Sequence, residues 1–164
     1  MKKIIFLDCD GPVIPGYLYY TTDIDLIMTR KSFCDVSISY LNSLCYTTGA
    51  RIVTNSMQNY VVYDSTDLKE DLIQAGILES DFHQDWRTIF PYVDYRSNPN
   101  DRRGWGRWLG IQEWIKQNGE CQWICFDDRH WTDDPRLVLV DFNDGITRKN
   151  FEQAKYLLGS NSRS

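Results

Sequence analysis

Five short runs of apolar, β-branched or aromatic residues recur along the chain, and most of the gaps between them carry helical periodicity. The runs are residues 3–7, 50–54, a weaker one at 88–93, 122–126 and 136–140. Between and after them, residues 35–46 place Val36, Ile38, Leu41, Leu44 and Cys45 at helical spacing, and 67–75 do the same with Leu68, Leu72, Ile73 and Ala75. Residues 107–117 carry Leu109, Ile111, Trp114 and Ile115, and 150–158 form a last helical stretch. Glycines at 49, 76 and 119 follow the first three patterns, where a helix ends most easily. Strands that alternate with helices in this way predict an α/β fold: right-handed β-α-β units, a mostly parallel central sheet and helices on both faces.

No repeat and no Pro/Gly/Ser linker divides the 164 residues. A chain of this length can bury about 70% of the surface that its unfolded form exposes, so the expectation is a single domain over 1–159 with a frayed polar tail at 160–164. The segment 92–108 collects turn formers, arginines and aromatics and reads as a long surface loop. Eighteen basic against 23 acidic side chains give a formal net charge of −5, which argues against broad non-specific attraction to a nucleic-acid backbone while allowing a locally basic groove. No apolar stretch approaches the roughly 20 residues of a membrane helix, and IIFL is too short for a signal peptide, so a soluble, cytoplasmic protein without membrane contact is expected. The odd number of scattered cysteines, five, fits reduced thiols.

The chemistry-bearing residues cluster at strand ends. The first run ends in Asp8-Cys9-Asp10-Gly11, the second in Thr54-Asn55-Ser56 and the fourth in Asp127-Asp128. In a parallel sheet, ligands bind beyond the carboxyl ends of the strands, so three polar ends meeting there would make a pocket of carboxylates and hydroxyls. Carboxylates crowded together repel unless a cation intervenes, and an all-oxygen ligand set suits magnesium. An EF-hand reading of D-x-D-G fails, because the later acidic ligands of such a loop are absent.

This constellation resembles the haloacid dehalogenase (HAD) superfamily of phosphotransferases. Asp8-Cys9-Asp10-Gly11 matches its first signature in full, Ile52-Val53-Thr54-Asn55 its second and Phe126-Asp127-Asp128 its acidic fourth. For the basic third signature Arg107 is the first choice and Arg103 the reserve. The pattern R-x-x-x-I-x-x-W-I from Arg107, with the late VDFNDGIT, is also similar to the small capless HAD domains of RNA-repair proteins and to polynucleotide 3'-phosphatases. The resemblance covers essentially the whole chain and implies a Rossmann-like HAD fold without a large cap domain. It implies further that Asp8 attacks phosphorus and forms an aspartyl-phosphate, while Asp10 protonates the leaving oxygen and later activates water. Gly11 would let backbone amides face the phosphate. Thr54, with Ser56 as the alternative, would bind a phosphoryl oxygen beside Asn55; Arg107 would balance charge; Asp8, Asp10, Asp127 and Asp128 would hold Mg2+.

Residues 11–33 leave no room for a full cap ahead of the helix at 35–46, so the site should be open to a phosphate at the end of something large. Arg96, Arg102, Arg103 and Arg107 lie among Tyr92, Tyr95, Trp105 and Trp108, a mixture suited to a few nucleotides of single strand, with Trp105 the foremost stacking candidate. The leading expectation is therefore a magnesium-dependent phosphatase acting on a nucleic-acid 3'-phosphate. A nucleotidase with Tyr17, Tyr19 and Tyr20 as a small lid stays open beside it, as does a nucleotide- or protein-binding module that has lost turnover. The oligomeric state stays open as well.

Overall fold

The computed structural model describes residues 1–21, 33–56, 66–89 and 105–159. Its centre is β1 (Lys3–Leu7), in which Ile4, Ile5, Phe6 and Leu7 are all fully buried. A strand covered on both faces must be apolar on both faces, which is why this run shows no polar alternation. Ile5 and Leu7 face a core built with Ile38, Leu41 and Leu44 of α2 (Asp35–Thr48), Leu68 and Leu72 of α3 (Thr66–Gln74), and Ala154 and Leu158 of α5 (Arg148–Leu158). Ile4 and Phe6 face a smaller core with Ile111 and Trp114 of α4 (Trp105–Asn118). A six-residue α1 (Gly16–Thr21), not anticipated from the sequence, follows the first strand's loop.

The sheet is parallel throughout, in the order β3-β2-β1-β4-β5, with β2 at Arg51–Thr54, β3 at Phe82–Arg87, β4 at Gln122–Asp127 and β5 at Leu137–Leu139. The chain builds outward from β1 through β2 to β3, then crosses by α4 to the other side of β1. The strand order therefore reverses between β1 and β4, and the crevice beyond their carboxyl ends is where an open α/β sheet receives a ligand. The connection from β1 to β2 spans residues 8–50, which leaves no room for a large cap.

One strand lies elsewhere than expected. The third is Phe82–Arg87, FHQDWR, and not 88–93; Thr88 and Ile89 follow it, and 90–93 lie outside the described residues. An edge strand needs only one apolar anchor to hold its place, and here Phe82 alone is buried, so a search for continuous apolar runs passes it over. Trp105 and Gly106, read as loop ahead of the helix expected from 107, already belong to the first turn of α4. The other helices agree with their predicted positions to within one or two residues. Residues 160–164 and the arginines at 96, 102 and 103 fall outside the described residues.

None of the five cysteines forms a disulfide, and all are buried. Among the described residues no helix is long and apolar enough to cross a membrane.

Candidate active site

The register of the two central strands creates the site. Leu7 pairs with Phe126, and the Asp8 amide donates to the Phe126 carbonyl at 3.0 Å, so the next residue of each strand, Asp8 and Asp127, must lie side by side. Both are buried, at 1% and 0% exposure. Asp8, Asp127 and Asp128 each offer a carboxylate oxygen within 4.8 Å of the others. Two carboxylates this close in a dry crevice repel strongly.

Arg107 answers part of that repulsion. From the first turn of α4 its buried guanidinium reaches Asp8, with Nη1 3.0 Å from Oδ2, and donates from the same nitrogen to Asp127 Oδ2. Burial works against its charge, but Asp8 and then Asp127 outweigh it and hold the guanidinium more firmly protonated than usual. A cation in the first turn of a helix is disfavoured by the macrodipole, and two adjacent carboxylates give it a reason to be there. Among the described residues Arg107 is thus a basic residue that the fold brings to this crevice; Arg103 lies outside them.

One arginine does not neutralise the cluster. Burial, then Asp127, hold the Asp8 carboxyl well above the usual carboxylate range despite Arg107, and Asp128 is raised for the same two reasons in the same order. Neither oxygen of Asp8 receives an aligned hydrogen bond. A buried carboxylate held among two others, with a guanidinium against one oxygen only, leaves oxygen ligands that a hard divalent cation satisfies, and magnesium fits them. Asp127 is already well occupied: Oδ1 accepts from the Arg129 amide at 2.9 Å, and Oδ2 accepts from Trp131 Nε1 at 2.9 Å as well as from Arg107. Asp10, expected among the metal ligands, is half-buried and lies outside the three-carboxylate cluster.

Gly11 shapes the loop after β1 and the space beside Asp128. Its amide donates to the Ile14 carbonyl at 3.0 Å, closing the loop after β1. What the site requires is the missing side chain: with φ at +98°, a Cβ here would stand 2.7 Å from Asp128 Cβ. Gly11→Ala should therefore displace Asp128 and strain the loop. The expected result is a lower melting temperature and magnesium binding weakened about tenfold or more by calorimetric titration; unchanged binding would show that Asp128 is not part of the metal site.

The second strand's polar end is more internal than expected. Thr54 is fully buried and its hydroxyl donates to the Trp86 carbonyl of β3 at 3.3 Å. Asn55, expected to contact substrate, accepts from the Thr88 hydroxyl at 2.7 Å and turns its amide toward Cys125 Sγ at 3.9 Å, so its side chain locks β2 to its neighbours. Ser56 is buried at the same sheet edge. Trp105 opens α4 and is not a loop residue.

Two participants were not visible in the sequence. Thr88 holds Asn55, and Trp131 holds Asp127 from four residues downstream. The only local sign was a Trp beside His130 in the turn after Asp127-Asp128; His130 itself is exposed and pairs with Asp133 at 3.2 Å.

A family model described as the HAD domain in Swiss Army Knife RNA repair proteins matches residues 4–151. No curated protein and no solved structure matches the chain.

Proposed function

The chain belongs to the family of HAD domains in Swiss Army Knife RNA repair proteins, and from that premise we propose that it is a magnesium-dependent phosphatase that removes a terminal 3'-phosphate from a nucleic acid. The observation that carries the reading is Asp8: a buried carboxylate at the strand-order reversal, with the Arg107 guanidinium against one of its oxygens and the carboxylates of Asp127 and Asp128 beside it. A carboxylate so poorly solvated is a strong nucleophile once ionised.

Asp8 attacks phosphorus in line; the new Oδ–P bond forms as the bond to the 3' oxygen breaks. Asp10, on the loop two residues on, gives that oxygen its proton, then takes one from the water that cleaves the aspartyl-phosphate and returns Asp8. Arg107 holds Asp8 in place and offers its guanidinium to charge developing on the phosphoryl oxygens. Thr54 and Ser56 are hydroxyl donors at the same edge. Asp8 and Asp128 with Asp127 would hold magnesium, which would supply charge neutralisation and Lewis-acid polarisation at the site.

The architecture and the family support this choice of substrate. A site with no large cap does not enclose a small molecule, and an RNA-repair setting offers phosphates at strand ends. The test is phosphate release from matched oligonucleotides phosphorylated at the 3' or the 5' end and from nucleoside monophosphates, each with magnesium and with chelator. The expected result is magnesium-dependent release from 3' ends at least about tenfold faster than from the others. Preference for monophosphates would make the protein a nucleotidase, and silence throughout would favour a binding module.

A further inference from the structure

Trp131 has a hydrogen bond that sets its position and a ring that packs against the smaller core while remaining only partly buried. Its Nε1 donates to Asp127 Oδ2 at 2.9 Å, so the indole edge stands directly against the carboxylate cluster. The residue is only half-buried. Behind it runs a ladder of rings into the core: Trp131 to Trp108 at 5.9 Å and 46°, Trp108 to Trp123 at 5.9 Å and 53°, and Trp123 to Phe6 at 5.7 Å and 77°. Arg136 closes the far side of Trp123, its guanidinium carbon 4.0 Å from the ring centroid. Trp131 is thus fixed at one edge by a carboxylate and backed by another indole, at the rim of the crevice, with exposed Arg129 in the same turn.

We propose that Trp131, backed by Trp108, is the stacking platform for the base of the terminal nucleotide whose phosphate enters the site. This rests on the nucleic-acid reading above and specifies how the site recognises its substrate. Stacking onto a fixed ring costs little ordering, accepts any base because every base has a π face, and suits a single-stranded end.

The experiment compares two 3'-phosphorylated oligonucleotides, identical except that the last residue carries a base in one and is an abasic sugar in the other, as substrates of the full chain with magnesium. Wild-type protein should prefer the base-bearing end by about five- to a hundredfold in kcat/KM, mainly through KM. Trp131→Ala should reduce that preference to about twofold or less. Trp131→Phe keeps a ring and loses the N–H, so it should retain most of the preference while activity on both ends falls together. Equal treatment of the two ends by the wild-type protein would overturn the proposal, whether or not the alanine variant folds. So would a preference that survives in Trp131→Ala, since Trp131 would then only hold Asp127. Absence of release from every 3' end would overturn the function itself, and this proposal with it; that result is distinguishable because it needs no comparison between ends.

Discussion

Replacing Asp8 with asparagine should lower phosphate release at least about a thousandfold and leave a folded protein that, with chelator present, is more heat-stable than the parent at neutral pH. The first effect follows from losing the nucleophile. The second follows from burial: Asp8 is 1% exposed, and desolvation, then Asp127, raise its carboxyl well above the usual range. A carboxyl whose folded pKa is raised favours the fold while it is protonated. That contribution is present in full below the unfolded value near pH 4 and is lost as pH rises through the elevated folded value. Without metal, the parent should therefore lose stability from about pH 4 upward, and the asparagine variant should lose less. For a chain of this size each kcal/mol of relieved repulsion raises the melting temperature by about 2–4 °C. Unchanged turnover would remove Asp8 from the chemistry. A melting temperature below the parent's at neutral pH would show that Arg107 compensates Asp8 more than burial penalises it.

Arg107→Ala should have the largest effect on stability. The side chain is buried and lies between Asp8 and Asp127, so its removal leaves two carboxylates in a dry crevice without their cation. Breaking a buried ion pair from one side costs about 3–5 kcal/mol, which here corresponds to a fall in melting temperature on the order of 10 °C. Turnover should fall about a hundredfold or more. Magnesium should restore more stability to this variant than to the parent, because it supplies charge the variant lacks. Arg107→Lys should be intermediate, since an ammonium is a point charge and not a planar fork. A melting temperature within a degree of the parent's would mean that the carboxylates are protonated in the resting protein and need no counter-ion.

The arrangement of strands and the acidic crevice could be read from residue types, because both depend on local pattern. IIFL must be a central strand and DCDG must follow it; ICFDD repeats that logic in β4, and the parallel register then places Asp127 beside Asp8. Arg107 was legible through the HAD resemblance, which implies a basic residue at or just before a helix, with Arg103 as the reserve. The sequence signal failed where position depends on neighbours far along the chain. Phe82–Arg87 forms a strand because β2 offers it an edge, not because it is apolar. Asn55 turns inward because Thr88, thirty-three residues on, presents a hydroxyl to it. Gly11 keeps its amide for Ile14, and its bare Cα makes room for Asp128 across the sheet. Trp131 follows a pair of aspartates as any loop tryptophan could, and its bond to Asp127 arises only once the turn after β4 is formed.

The central claim is that phosphate passes through Asp8. The most direct measurement is acid quenching of the protein, with magnesium, during turnover of an oligonucleotide carrying a labelled 3'-phosphate. Label should be found on the protein within the first turnover, be released by hydroxylamine as expected of an acyl phosphate, map to the peptide containing Asp8 and be absent from Asp8→Asn. Turnover with no label on the protein at any quench time, or label that persists in Asp8→Asn, would contradict the account.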